Sequence, residues 1–389
     1  MKIKYLTTVI CSIALITTKL SAQDQLAVTG YMDGFGNDRV VVFCVSISDP
    51  TIQSFDTIIS RNGSFDFEKK ISEPTECAIF NDGSYIKRAN GKKYLPETNL
   101  IKLVLLPNQT LEIRGTIGTY SVEYETTGNA LNESLCKRRT AEMQINEALL
   151  HEELRIDSLA FKGTNKAELT KLDSLLTIKR NAEIQKTIAF IKENPNEELS
   201  AYYLTKLTQK DYMTALPYLS PTVRNGLFKK RLDLLENNYK ALETIQKNQK
   251  TVQIGRMAPD FTLKSNEGKM VQLSSFKGKY VVLSFWGSWC HWCMSGVPKM
   301  VQYHNQYKNK VTFIGINVRD TDEAFKNTIQ KYAMNWIQLK NLTETDVPSL
   351  YGVSGYPTKF ILDPNQKIVA RIVGEDPAFY TLLENMFSK

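Results

Sequence analysis

Apolar and polar positions divide the chain into stretches of different period. From about residue 26 to 118 the pattern is that of strands. Val40-Val41-Val42-Phe43-Cys44-Val45 is a β-branched run, the kind that packs well on a pleated surface. Phe55–Ser60 and Ser64–Phe67 alternate around Arg61-Asn62-Gly63, which predicts a hairpin. Asn81-Asp82-Gly83 marks a further turn, Leu100–Leu106 runs up to Pro107, and Thr110–Ile117 closes the region. Short strands separated by turn residues predict a small sandwich or barrel.

From about 128 to 247 the period changes to that of helices. Apolar residues recur through Ile145, Leu149, Ile156 and Leu159, then Leu169, Leu172 and Leu176, then Ile184, Ile188 and Ile191. Asn194-Pro195 ends one helix, and Ser220-Pro221 starts another, with Ser as N-cap and Pro at the first helical position. Asp233, Glu236 and Lys240 supply charge pairs on its exposed face. Four or five helices are predicted, with Tyr202-Tyr203 and Leu149-Leu150 as core packing. Gln246–Gly255 is polar and reads as a linker.

After the linker, Ala258-Pro259-Asp260-Phe261-Thr262-Leu263 opens a last region, and Asn266-Glu267-Gly268-Lys269 is a turn. Tyr280–Trp286 reads as a buried strand and Val311–Val318 as another. Asp322–Ala333 reads as a helix, Phe360–Asp363 as a strand, and Pro364-Asn365-Gln366 as a turn into Ile368–Ile372. A C-terminal helix begins near Pro377.

Composition adds little beyond a globular class. Apolar residues make up 42% of the chain and charged residues 23%, with a net charge of +8. Three of those charges, Lys2, Lys4 and Lys19, lie in an N-terminal leader, and removing it leaves about +5. So mild a balance does not predict nucleic-acid binding. The basic clusters Lys137-Arg138-Arg139 and Lys229-Lys230-Arg231 fall in helical patterns with acids nearby and read as solvated helix faces. The leader itself has a basic start, Met1-Lys2-Ile3-Lys4, an apolar stretch over Tyr5–Thr18 too short to span a bilayer comfortably, and a cut point at Ser21-Ala22. Cys11 lies inside it, and the residue before it, Ile10, is not the small residue a lipobox needs. An exported, periplasmic protein is therefore expected.

Five cysteines remain after the leader: Cys44, Cys77, Cys136, Cys290 and Cys293. Five is odd, so at least one is unpaired in a monomer. Cys44 and Cys77 lie in the β region and either pair with each other or stay free and buried. Four Asn-x-Ser/Thr sequons begin at Asn62, Asn108, Asn132 and Asn341 and read as chance matches.

Candidate chemistry sits in Phe285-Trp286-Gly287-Ser288-Trp289-Cys290-His291-Trp292-Cys293, directly after the buried strand. Two cysteines at this separation can cycle between dithiol and disulfide, one attacking a substrate disulfide and the other resolving the mixed disulfide. A zinc site would need two more ligands at suitable spacing, and there is no second CxxC and no His pair. No metal or cofactor is expected. Farther along comes Gly355-Tyr356-Pro357-Thr358, followed by Phe360-Ile361-Leu362.

The order strand, WCxxC, helix, strand, helix, X-Pro-Thr, strand resembles the thioredoxin fold, and most closely the extracytoplasmic proteins of the TlpA/ResA type. The Ala-Pro-Asp-Phe entry is shared with the peroxiredoxin-like (AhpC/TSA) branch. The β-rich stretch is similar to the N-terminal β domain found ahead of thioredoxin domains in exported Bacteroidetes proteins. The organisation implied is a signal peptide at 1–22, a β-rich sandwich or barrel at 23–120, a helical connector at 121–250 and an α/β thioredoxin-like domain at 251–389.

The resemblance implies a thiol-disulfide oxidoreductase acting on protein thiols and disulfides. Cys290, at a helix start where unpaired N–H groups favour a thiolate, is the exposed nucleophile, and Cys293, more buried, resolves. Pro357 resembles the family's cis-proline, leaving the backbone of Tyr356 free to pair with an extended substrate; an ordinary trans turn proline is the alternative. Trp286 and Trp289 flank the site, with Trp289 offering a flat apolar surface to a partner and Trp286, on the strand, reading as core; Trp292 is a further candidate for substrate binding and tuning. A membrane electron donor is a candidate partner, and the N-terminal half is a candidate docking or dimerising platform.

Departures from the family pattern are informative. Thioredoxins carry a buried acid where this chain has Ser284, and TlpA/ResA-like reductases often carry a Glu where it has Gly296. Neither proton acceptor is present, so the deprotonation of Cys293 is left open. His291 either accepts that proton or, exposed, only tunes the potential. His-Trp between the cysteines, in place of Gly-Pro or Glu-Pro-like pairs, pushes the potential upward, toward isomerase or oxidase behaviour.

Two other readings compete. A thiol peroxidase needs Pro-x-x-x-Thr/Ser-x-x-Cys; counting back from Cys290 gives Gly287 and Leu283, and from Cys293 gives Cys290 and Trp286, so the motif is absent. A non-catalytic metal carrier or partner-binding module is the other, although copper-delivery relatives space their cysteines by three.

Overall fold

The computed structural model describes residues 25–341 and 346–388. The leader, its cut point and Cys11 lie outside them, as does the third residue of the sequon at Asn341. The chain divides into two compact units between Leu235 and Glu236.

The N-terminal unit begins with ten strands: β1 Gln25–Asp33, β2 Arg39–Ser46, β3 Gln53–Ile59, β4 Ser64–Lys70, β5 Thr75–Asn81, β6 Ile86–Lys87, β7 Lys93–Tyr94, β8 Ile101–Leu105, β9 Thr110–Ile117 and β10 Val122–Thr127. One four-stranded sheet has the order β10-β9-β1-β4 and the other β3-β2-β5-β8, with β6 and β7 forming a small ladder of their own. The pairs are antiparallel apart from β1 with β9, which run parallel. Val28, Met32, Leu111 and Ile113 from the first sheet share one core with Val42, Ile79, Ile101 and Leu103 from the second. Side chains alternate between faces along each strand, so each sheet lays one apolar face on the other. A sandwich is the result.

The predicted hairpin at Arg61-Asn62-Gly63 is only half formed. Asn62 and Gly63 both adopt positive φ, 50° and 84°, as a two-residue hairpin turn requires. Arg61 and Ser64 bridge across it. Beyond that bridge β3 and β4 part into opposite sheets. The turn is pulled away by bonds to the end of β1 and the loop after it: Met32 N donates to Gly63 O at 2.9 Å and Gly63 N to Gly36 O at 2.8 Å. Cys44 and Cys77 face each other in register on β2 and β5, and both are buried free thiols.

Six helices follow: α1 Ala130–Phe161, α2 Lys166–Glu193, α3 Glu198–Leu204, α4 Gln209–Ala215, α5 Pro221–Arg224 and α6 Lys229–Thr251. Both domain boundaries expected from sequence shift. Strand β10 extends the β region past residue 120, its Val122, Tyr124 and Thr126 alternating inward. The helices up to Leu235 belong to the same unit as the sandwich rather than to a separate connector. Buried Asn132 on α1 explains part of this, because its side-chain amide both accepts from Val104 N (2.7 Å) and donates to Val104 O (2.8 Å) on β8. Tyr202 on α3 donates to Glu76 on β5 at 2.9 Å.

Arg138 and Arg139 are not on the solvated face expected of them. The Arg138 guanidinium lies 4.0 Å from the Phe190 ring and 4.6 Å from that of Tyr203, and Arg139 donates to Thr98 O at 2.5 Å. The long helix expected from Ser220 also breaks. Ser220 does cap α5, but the chain turns at Gly226, where a Cβ would lie 2.1 Å from the Glu198 carboxylate. Leu227 N donates to that carboxylate instead, and α6 starts afresh at Lys229. The Lys229–Asp233 and Lys240–Glu236 pairs form along it at 2.5 and 2.6 Å. The expected linker at 246–255 is largely the end of this helix. Its polar side chains make specific bonds, Asn248 to Ser349 O and Gln249 to Gly352 O, and Val252 joins the core.

In the C-terminal unit the strands are β11 Thr262–Ser265, β12 Met270–Gln272, β13 Tyr280–Trp286, β14 Val311–Asn317, β15 Ile337–Lys340, β16 Thr358–Leu362 and β17 Ile368–Val373. The helices are α7 His291–Tyr307, α8 Asp322–Lys331, α9 Val347–Leu350 and α10 Pro377–Phe387. They form one sheet of order β12-β11-β15-β14-β13-β16-β17. Strand β13 is parallel to β14 and antiparallel to β16. Val282 and Trp286 face one core, Val281, Leu283 and Phe285 the other. Burial on both faces is why β13 reads as a continuous apolar run rather than an alternating one. Among the described residues no helix is long and apolar enough to cross a membrane.

One titrating group in this unit affects stability. His304 on α7 packs against Phe313 and Trp336, and desolvation, then Lys308, lowers its pKa from 6.5. A folded-state pKa below the unfolded one means the unfolded chain binds the extra proton first. Stability is therefore full above about pH 6.5 and falls as the pH drops toward the lowered value. Melting curves of the native chain and of His304→Phe between pH 5 and 8 should diverge toward the acid end, the native midpoint falling while that of the variant stays flat.

Candidate active site

The site is built at the junction of β13 and α7. Strand β13 ends at Trp286, whose indole Nε1 donates to Gln338 Oε1 at 3.0 Å and is buried. The next turn is held by Asp320: its carboxylate accepts from Ser288 N (2.9 Å), Ser288 Oγ (2.7 Å) and Asn317 Nδ2 (2.6 Å). Nothing in the motif itself marks Asp320 as part of the site, because it comes from the loop after β14. Gly287 is required here, since a Cβ would lie 2.4 Å from the folded-back Trp289 indole.

Cys290 is the N-cap of α7, and its Sγ accepts from Cys293 N at 3.1 Å. The two cysteines form a disulfide. Cys290 is 6% exposed and Cys293 4%, so in the disulfide form the expected exposure of Cys290 is absent. Neighbouring rings take that surface instead. Trp289 is 49% and Trp292 65% exposed. Trp289 meets Tyr356 edge-on at 5.5 Å, donates to Val318 O at 3.1 Å and has the Arg319 guanidinium 5.7 Å from its ring. His291 is exposed, its ring edge-on to Trp292 at 5.8 Å. The Tyr356–Pro357 bond is cis. Burial raises the pKa of the Tyr356 phenol, which stays protonated at neutral pH.

Behind the disulfide lies a small hollow of about 20 Å³, bordered by Cys293, Gly296, Trp336, Pro357, Lys359 and Glu375. Ser284, at the thioredoxin acid position, pairs in register with Lys359. A Cβ at Gly296 would lie 2.3 Å from the Glu375 carboxyl group. Lys359 Nζ donates to Glu375 Oε2, and Tyr380 Oη donates to Glu375 Oε1, each at 2.5 Å. Burial pulls the Lys359 ammonium below the usual lysine range, and the Glu375 carboxylate draws it partly back. Burial and the same carboxylate push the Tyr380 phenol up. Sequence inspection missed Glu375 and Lys359. The local signal, an empty glycine where relatives carry an acid, was visible, but the acid's source on another element was not. Among the described residues no group of three or more His, Cys, Asp or Glu side chains is placed to hold a metal ion.

Comparison with solved structures finds the thioredoxin domain of a thiol-disulfide oxidoreductase from Bacteroides vulgatus, 30% identical, covering 34% of this chain and 97% of that one at a TM-score of 0.33. The AhpC/TSA family matches residues 254–371. The thiol-disulfide oxidoreductase ResA of Bacillus thuringiensis (strain Al Hakam) is 37% identical over 125 residues, which span 32% of this chain and 72% of the relative. ResA of Bacillus subtilis (strain 168) is 31% identical over 137 residues, 35% of this chain and 76% of the relative. With its cysteine pair at the start of the helix that follows the central strand, and a match over most of these relatives' length, the chain belongs through its C-terminal domain to the ResA-type thiol-disulfide oxidoreductases.

Proposed function

We propose that this protein exchanges disulfides with client proteins through Cys290, with Cys293 resolving the mixed disulfide. The observation that carries the reading is the capping geometry: the N–H of Cys293 already points at Cys290 Sγ at a helix N-terminus. That donor and the helix dipole stabilise a thiolate on Cys290 once the disulfide opens. Trp289, Trp292 and Tyr356 form an exposed aromatic border on which a client segment can lie, and the backbone at Tyr356 and Pro357 can pair with it in extended form. The resemblance and the leader support action outside the cytoplasm, in the periplasm, with electrons drawn from a membrane donor. The N-terminal unit serves as a docking or dimerising platform in this reading.

Direction is decided by the reduction potential of the Cys290–Cys293 couple. All four tryptophans, at 286, 289, 292 and 336, lie in the C-terminal unit, so emission titrated against glutathione buffers reads the couple directly. His-Trp between the cysteines pushes the potential upward, and a value above about −180 mV would place the protein in the isomerase or oxidant range. A value near thioredoxin's, about −270 mV, would make the protein a reductase.

A further inference from the structure

The hollow behind Cys293 is lined by two charged groups, Lys359 and Glu375, that attack by Cys290 does not require. Lys359 is 1% exposed, a costly place for an ammonium unless it is paired. Its pairing with Glu375 sets a carboxylate against the backbone of α7 at Gly296, one turn beyond Cys293. Tyr380 steadies the same carboxylate and also donates to Gly296 O at 3.3 Å. A cavity of this size has room for one water. Trp336 borders it at 8% exposure, and its Nε1 has no hydrogen-bond partner among the described residues.

We propose that Glu375, held by Lys359 and Tyr380, exchanges the proton of Cys293 through this hollow, so that α10's leading loop supplies the acid that neither Ser284 nor Gly296 provides. The proposal rests on the disulfide-exchange reading and deepens it. In the reducing direction Cys290 thiolate attacks one sulfur of the client disulfide, forming a mixed disulfide and releasing the first client thiolate. Glu375 carboxylate then takes the Cys293 proton. Cys293 thiolate attacks Cys290 Sγ, the Cys290–Cys293 disulfide forms, and the second client thiolate leaves. Two electrons pass to the client, whose thiolates take protons from solvent and, on return, from Glu375. The other titratable or charged groups around Glu375 are Asp376 beside it, Lys299 and Tyr303 on α7, and Glu384 on α10. Lys299 Nζ lies 4.2 Å from the Tyr380 ring, and Glu384 accepts from Tyr303.

The test is single-turnover reaction of the reduced full-length chain with 5,5′-dithiobis(2-nitrobenzoate), followed at 412 nm from pH 5 to 9, with oxidised protein as the blank for Cys44, Cys77 and Cys136. The first release of nitrothiobenzoate reports attack by Cys290, and the second reports attack by Cys293. Glu375→Gln should leave the first phase unchanged, slow the second by about a hundredfold or more at about pH 7, and move its pH midpoint upward. Glu375→Asp should recover part of the rate. The double variant Glu375→Ala/Gly296→Glu, which returns a carboxylate to the hollow from α7, should recover most of it, whereas Glu375→Ala alone should not. An unchanged second phase in Glu375→Gln overturns the proposal. If Glu375→Gln does not fold, the double variant decides: a second phase near the native rate supports the proposal, and one as slow as Glu375→Ala overturns it. Absence of the first phase in the native chain would instead overturn the disulfide-exchange reading.

Discussion

Cys290→Ala should abolish disulfide exchange with a protein client, by on the order of a thousandfold or more, because in the proposed order of the two sulfurs it removes the attacking one, at the N-terminus of α7. Cys293→Ala should behave differently. Cys290 keeps its capping position and its thiolate-stabilising N–H from residue 293, since that donor is backbone. The variant therefore still attacks but cannot resolve, and it should accumulate mixed disulfides. Incubation with an oxidised client, alkylation and non-reducing electrophoresis separate the two results: a covalent adduct that dithiothreitol removes for Cys293→Ala, and none for Cys290→Ala. Adducts formed by Cys290→Ala would reverse the assigned order of the two sulfurs.

Lys359→Met should be the most destabilising of the conservative charge removals in the C-terminal unit. The side chain is 2% exposed and its carboxylate partner 16%, so losing the ammonium leaves a largely buried anion with only Tyr380 to satisfy it. Breaking such a pair costs about 3 kcal/mol or more, a fall in melting midpoint of roughly 10 °C for a unit of this size. Methionine keeps most of the packing against Phe379 and Tyr380, over whose rings the ammonium lies at 5.0 and 5.6 Å. The loss would therefore report charge rather than volume. Lys359→Met/Glu375→Gln should recover much of it. Urea unfolding followed by tryptophan emission reads this unit alone, because it holds every tryptophan. A single variant as stable as the native chain would mean that the carboxylate takes up a proton at little cost.

What could be read from sequence was what is local or periodic. Tyr280–Trp286 announced itself because a strand buried on both faces leaves an unbroken apolar run. Cys290 and Cys293 were legible because their chemistry depends on spacing along one helix turn. Pro357 followed from its Tyr-Pro-Thr context. The errors share a different cause. The turn at Asn62-Gly63 was legible as a turn, but its flanking strands belong to different sheets, which only the bonds from Met32 and Gly36 determine. Gln246–Thr251 looked like a linker because its residues are polar; their amides in fact bond to carbonyls at Ser349 and Gly352. Arg138 looked solvated because charge is exposed on most helices, whereas here two aromatic rings enclose it. Glu375 was invisible for the same reason, since its place against Gly296 is a fact of packing between elements distant in the chain.

The order of strands in the N-terminal sandwich has a consequence for how the chain acquires its shape. Strand β1 lies inside its sheet, between β4 and β9, and Ala27 pairs with Thr110. The first strand therefore waits for one of the last, and closing so long a loop must precede any reward from the parallel pairing. A chain emerging from its N-terminus onward can form the β2, β3 and β5 ladder early, yet it cannot complete the β10-β9-β1-β4 sheet until β9 has emerged. During that interval the edge of β1 that β9 will cover is open to any passing strand.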